Sequence, residues 1–311
     1  MVKGLSSHTL AVWQALLVTF LWSTSWILIK FGLSEEIPPL TFAGLRYALA
    51  FLCLMPFVFR QPADLAALRH LSRRDALRLV ALGLVFYTVT QGAQFVSLSY
   101  LPAASVNLLL TFSAVVVAGL GMMMLGEKPS RTQWGGLLLY LMGAVLFFYP
   151  ITFSQGEVVG VVVALLGVLA NAVSTILGRS LNRAHLLSPI VITTATMGIG
   201  GLILLSVGVV TQGLPPLSLV SVAVIGWLAV VNTAFAFTLW NVTLKTLSAL
   251  ESSIINNAMM LQIPLLAWLF LGEALTWKTG FGLLLAGLGI LIVQLQRVPL
   301  VSLRPKMPAE V

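Results

Sequence analysis

Charge is what this chain has least of. Of its 311 residues only 8% are charged, with 9 Asp and Glu against 17 Lys and Arg. A soluble domain carries about 25% charged residues, so this chain lacks the polar surface to coat itself against water. Histidine is scarce too: His8, His70 and His185 all fall away from the middle of any apolar run. With no His, Asp and Glu cluster inside those runs, neither a metal site nor an acid–base pair is available there. There is no G-x-S-x-G elbow and no Walker A loop, which weighs against an enzyme. Cys53 is the only cysteine, so no disulfide or zinc framework can form within the chain. The net charge of +8 is not interleaved with aromatics as a nucleic-acid surface would be. It sits between apolar runs, where Lys and Arg face the cytoplasm and anionic lipid headgroups.

What the chain does have is apolar length: 59% of its residues are hydrophobic and the mean hydropathy is +1.03. A membrane span needs about 20 such residues. Ten candidate spans can be read, at 11–31, 39–59, 77–98, 103–125, 132–149, 157–178, 189–210, 218–243, 248–271 and 278–296. The fold class expected is therefore an all-α membrane protein of ten transmembrane helices, with no cofactor. The first run is too long for a signal-peptide core and lacks an A-x-A site. Short connectors carry breakers such as Pro38-Pro39, Pro102, Pro129 and Pro215-Pro216. The longest connector, Gln61 to Leu77, is basic and amphipathic, suited to lie on the cytoplasmic headgroups. If the N-terminus is cytoplasmic, 14 of the 17 Lys and Arg fall on that side, against Lys30 and Lys278 outside and Arg46 within a span. Both termini are then expected in the cytoplasm.

One phrase occurs twice. At a constant offset of 146, Leu98–Gly143 matches Leu244–Gly289 at 12 of 46 positions, with Gly126-Glu127 on Gly272-Glu273 and Gly136-Leu137-Leu138-Leu139 on Gly282-Leu283-Leu284-Leu285. Five spans per half is an odd number, so the second half enters from the opposite side. The expected organisation is a 5+5 inverted repeat: 11–149, then 157–296, then a cytoplasmic tail at 297–311. Two such halves can exchange conformations, which is the basis of alternating access in many secondary transporters.

The "LWSTSWILIK" of the first span, the "LRYALA" of the second and the paired "LGE" endings, each followed by a Gly-rich span, resemble the drug/metabolite transporter superfamily and, within it, the EamA-type members. The resemblance covers about residues 11–296. One departure is Asn171, where family members often carry Trp early in the sixth span. The resemblance implies gradient-driven export or facilitated flux of small molecules, without an ATP-binding domain.

Polar side chains in hydrocarbon usually face the bundle interior or a water-filled path. The candidates for the substrate path are Trp22, Thr24, Gln91 and Gln94 in the first half, and Asn171, Asn232, Trp240, Asn256, Asn257 and Gln262 in the second. The competing reading is interhelical hydrogen bonding, worth about 0.6–2 kcal/mol each. Trp22 and Trp240 are deep, suited to packing or to an aromatic wall for a solute. Pro264 is expected to kink the ninth span. Arg46 either snorkels to the outer interface or anchors a substrate carboxylate. Glu251 fits a capping box with Ser248 and is the residue left for proton coupling, since no carboxylate falls at the midplane. Glu127 and Glu273 are expected as gate or helix-end contacts. The Gly-rich fifth and tenth spans suit a peripheral scaffold and homodimer contacts. Amides, hydroxyls and two deep Trp with little midplane charge favour small neutral or zwitterionic solutes: amino acids, metabolites or drugs. A non-transporting sensor or scaffold of the same fold is the alternative.

Overall fold

The computed structural model describes residues 7–113, 115–116, 130–150, 153–183, 186–243, 246–247 and 255–295. Those residues form helices and connectors, with no strand among them. We number the helices α1 (Ser7–Ser34), α2 (Pro39–Phe59), α3 (Pro62–Arg69), α4 (Arg73–Tyr100), α5 (Ala103–Thr111), α6 (Arg131–Phe148), α7 (Gln155–Arg183) and α8 (Pro189–Gln212). Helix α9 runs Leu219–Ala229, widens through Val230–Phe235 and continues as Ala236–Thr243; α10 is Ile255–Leu271 and α11 is Trp277–Leu295. Six of these, α1, α2, α4, α7, α8 and α9, contain segments long and apolar enough to cross a membrane, and the apolar α10 and α11 are shorter.

The helix ends follow local chemistry. Pro39 and Pro189 occupy first-turn positions where no N–H is needed. Ser130 and Gln133 form a complete capping box at α6, and the Ser218 hydroxyl accepts the Ser221 N–H at α9. Gly272 ends α10 in the left-handed region, φ 67°, which a side chain would strain. The basic connector forms α3 and then the Ser72-capped start of α4. Asp64 and Gln61 of that connector bond Ser188, tying it to the start of α8.

Apolar and polar residues are distributed as bilayer solvent demands. Leu138, Met142 and Val145 of α6, Leu165 and Leu169 of α7, and Leu265 and Trp268 of α10 all point outward. Inside lie Thr19, Ser23, Arg46, Asn107, Ser174, Asn232 and Thr233. An apolar exterior around a polar seam is the arrangement expected of a chain embedded in lipid.

Three helix pairs dominate the packing, α2 against α8, α6 against α11 and α4 against α7. The second pair shows why glycine recurs there. A methyl group at Gly136 would meet Gly289 O at 2.8 Å, and one at Gly289 would meet Gly136 O at 2.5 Å. Likewise one at Gly143 would meet Gly282 O at 2.6 Å, and one at Gly282 would meet Gly143 O at 2.8 Å. Gly136 and Gly282 are repeat partners, as are Gly143 and Gly289. Each glycine therefore touches the repeat partner of the other, the reciprocity of a local two-fold axis. The small-residue faces expected to serve a dimer are used at these four positions within the chain. Gly289→Val should cost about 1–3 kcal/mol or prevent folding, because backbone cannot retreat from the new methyls. Gly280→Ala, where nothing lies within 4 Å, should be neutral or slightly stabilising. Thermal unfolding of the two purified variants checks the contrast.

Four departures from regular helix follow the same offset. Helix α4 carries a π-helical segment at Gly83–Thr90, and α9 carries one at Val230–Phe235. Adding 146 to 83–90 gives 229–236. In each, a threonine hydroxyl bonds a carbonyl five residues back: Thr90 to Val85 at 3.0 Å and Thr233 to Leu228 at 2.8 Å. After α5 the chain turns at Phe112, whose N–H bonds Leu109 O at 3.0 Å. Helix α10 turns at Ala258, whose N–H bonds Ile255 O at 3.1 Å. Phe112 and Ala258 are again 146 apart. Pro264, expected to kink the ninth span, lies within continuous helix six residues beyond that turn.

Candidate functional site: a polar seam through the bundle

Each irregularity frees backbone groups, and buried polar side chains collect them. Pro264 has no N–H, so Met260 O loses its helical partner. The Asn107 amide of α5 donates to that carbonyl at 3.4 Å. Leu108 O, whose usual partner Phe112 N–H goes to Leu109, accepts instead from the buried Tyr140 hydroxyl at 2.9 Å. The Asn171 amide of α7 donates to Ser113 Oγ at 3.0 Å. The α5, α7 and α10 side of the seam is thus closed by amides.

The π segment of α9 aims two consecutive polar residues into the bundle, Asn232 and Thr233, both fully buried. Asn232 donates toward α1, to Leu21 O and to Thr24 Oγ1 (3.1 Å). Its Oδ1 is buried without a partner among the described residues. Beside it, Trp22 stacks at a tilt on Trp240 and Phe237, with ring centroids 5.3 and 5.2 Å away. Trp22 Nε1 is likewise buried with no partner among the described residues. Ser23 donates to Gln262 Oε1 at 2.8 Å, linking α1 to α10.

Thr233 serves α2. Its Oγ1 accepts from Arg46 Nε at 3.0 Å. The Arg46 guanidinium lies 5.1 Å from the Tyr47 ring centroid and 6.0 Å from that of Phe95, within cation–π range. Tyr47 donates to Gln91 Oε1 at 2.6 Å and packs edge-on against Tyr87. Arg46 is 4% exposed. It does not snorkel to an interface; its head group stays inside the bundle.

The sequence candidates therefore separate into groups. Trp22, Thr24, Asn232, Trp240 and Gln262 meet along α1, α9 and α10. Gln91 joins Arg46 through Tyr47, and Gln94, one turn further along α4, is half-buried with no hydrogen bond among the described residues. Asn257 is half-buried and Asn256 exposed, one turn before the seam on α10. Glu273 closes one end: its carboxylate accepts the Ala103 and Ala104 N–H groups at 2.6 and 3.2 Å, and Lys30 of α1 adds its charge nearby. Glu127 and Glu251 lie outside the described residues. No group of metal-ligating side chains occurs among the described residues.

Sequence reading missed Asn107, Thr233 and Tyr47. For Asn107 a signal existed, because Pro264 implies an unpaired carbonyl four residues earlier that some buried donor must take. For Thr233 none did; only the widened turn brings it and Asn232 into the bundle together.

Comparison with known proteins agrees with this architecture. A model of the EamA-like transporter family matches the chain twice, at residues 9–149 and 158–295. An uncharacterized transporter of Archaeoglobus fulgidus is 27% identical over 277 residues, covering 88% of this chain and 91% of its own. A Salmonella typhimurium protein named a probable amino-acid metabolite efflux pump is 25% identical over 297 residues, covering 89% and 92%. A crystal structure at 17% identity superposes with a TM-score of 0.65 over 94% of this chain and 98% of that one, which speaks for the fold alone. With the family model matching on both sides of the 149–158 junction and a polar seam inside an apolar shell, the chain is a multi-pass membrane protein belonging to the EamA-like transporter family.

Proposed function

We propose that the protein is a secondary transporter moving small neutral or zwitterionic organic solutes by alternating access between two inverted five-helix halves. Amino acids and their analogues come first, then other metabolites and amphiphilic drugs, as export or facilitated flux. Both termini are cytoplasmic in this reading.

The observation that carries it is the set of irregularities repeated at one offset. Matching π segments at 83–90 and 230–235, matching turns at Phe112 and Ala258, and the reciprocal glycine contacts between α6 and α11 all support two related halves. Broken helices near a repeat interface are where inverted-repeat carriers build their sites. The connector contacts support the same threading: Ser218 bonds Glu35, Gln212 bonds Leu40 N–H, Glu273 bonds Ala103 and Lys278 sits over Tyr149. In an up-and-down path of ten spans each of those pairs lies on one face. The Salmonella relative's printed name supports amino-acid metabolites as the first solutes to try.

Two measurements test the reading. In a C53S background, a cysteine at Arg131 should react with a membrane-impermeant maleimide only from the cytoplasm, and one at Thr276 only from outside. Labelling of both from one side would end the inverted-repeat model. In proteoliposomes, saturable flux of at least one labelled neutral, aromatic or basic amino acid is expected, and an imposed pH gradient should separate coupled from facilitated movement. No flux of any solute would leave a sensor or scaffold of this fold.

A further inference from the structure

Charge buried in hydrocarbon persists where it is paired or where it does work. Arg46 lies about two turns into α2, and its only hydrogen bond to a described residue uses Nε. A guanidinium has five donors, and the four on its Nη atoms have no partner there. The ion pair of arginine with carboxylate among the described residues is Arg78–Asp75, on the connector side of α4. The titratable groups that face Arg46 from its own helix and from α4 are Tyr47 and Tyr87, both phenols. Two ring faces soften the cation without neutralising it.

Arg46 keeps only 4% of its surface exposed, and no described residue takes its Nη donors. Nε is spent on Thr233, which fixes the plane of the guanidinium and leaves its outer edge as a two-pronged donor. That edge fits a carboxylate bidentately, and no lysine could reproduce it.

We propose that Arg46 is the subsite for a solute carboxylate, so that the solutes this protein binds are carboxylates, amino acids among them, and not amines or uncharged amides. This deepens the transport reading above by naming the group recognised. Thr233 is its positioning residue: the π segment of α9 supplies the hydroxyl that holds the guanidinium edge-on.

The test is thermal stabilisation of the purified full-length protein by matched pairs: L-leucine and L-leucinamide, L-phenylalanine and L-phenylalaninamide. At least one carboxylate should stabilise the wild type while its amide does not. Arg46→Gln should lose that preference, with apparent affinity falling about tenfold or more. If Arg46→Gln does not fold, Arg46→Lys keeps the charge and loses the fork, and should bind the same carboxylate measurably more weakly. Thr233→Val should weaken carboxylate binding and leave the amides without effect, as in the wild type. No discrimination by the wild type in any pair, or discrimination that survives Arg46→Gln or is unaltered in Arg46→Lys, overturns the proposal. Binding is read without flux, so a protein that discriminates but moves nothing would fail the transport reading and keep this one. Flux of carboxylate and amide alike would do the reverse.

Discussion

Trp22→Phe should leave the protein as stable as wild type, within about 1 kcal/mol, while lowering flux about tenfold. Trp22 Nε1 is a buried donor with no partner among the described residues. Leaving such a group unmade costs about 1–3 kcal/mol. Phenylalanine removes the donor and keeps a ring against Trp240 and Phe237. The area lost by the smaller ring works against that gain, at about 25 cal/mol per Å². The two effects are of similar size, so the melting temperature should barely move. Transport should not be spared. A buried donor on α1 and a buried acceptor on α9, Asn232 Oδ1, both unpartnered among the described residues, are what a packed interior eliminates unless a third molecule uses them. Trp22→Ala is the contrast, expected to cost about 3–5 kcal/mol through the cavity it opens. Melting curves and initial rates in proteoliposomes decide between the two roles. If Trp22→Phe destabilises strongly and flux falls only with the folded fraction, Trp22 is packing.

Much of the fold was legible because bilayer solvent is undemanding about detail. Apolar length places helices, and most connectors carry a proline or serine, the glycine-led turn at 272–276 excepted. The repeat was legible because glycine is the only residue that fits Gly136, Gly143, Gly282 and Gly289, where a methyl would meet carbonyl oxygen. That close approach left identical residues at one offset. The π segments were not legible. Gly83–Thr90 and Val230–Phe235 share almost no residues, and their likeness lies in hydrogen bonds displaced by one position. Site residues were half legible for the same reason. Asn232 and Trp22 stand out as an amide and a deep indole in apolar runs. Whether an amide faces the seam depends on local helical pitch, so Asn256, one turn before the seam, is exposed while Asn107 is buried.

Glu273→Gln should open the end of the bundle where α5 begins. Gly272, left-handed at φ 67°, turns the chain so that the Glu273 carboxylate meets the first N–H groups of α5. Those N–H groups have no helical partners, and the helix dipole favours an anion there. Hydrogen bonds to a charged group are worth about 1.5–3 kcal/mol each. Glutamine can accept from Ala103 N–H but turns an NH₂ toward Ala104 N–H, and it withdraws the negative charge that Lys30 faces. A net loss of about 2 kcal/mol shifts a closed–open equilibrium roughly 30-fold. Ser105, half-buried in the first turn of α5, reports it. In a C53S background, Ser105→Cys should react with an external maleimide up to about 30-fold faster when Glu273 is glutamine. Saturating solute should change that ratio, because a carrier's ligand redistributes the states the latch holds apart. Equal labelling with and without the carboxylate would make Glu273 a helix cap that holds nothing shut. Faster labelling with flux unchanged would mean that this end opens outside the transport cycle.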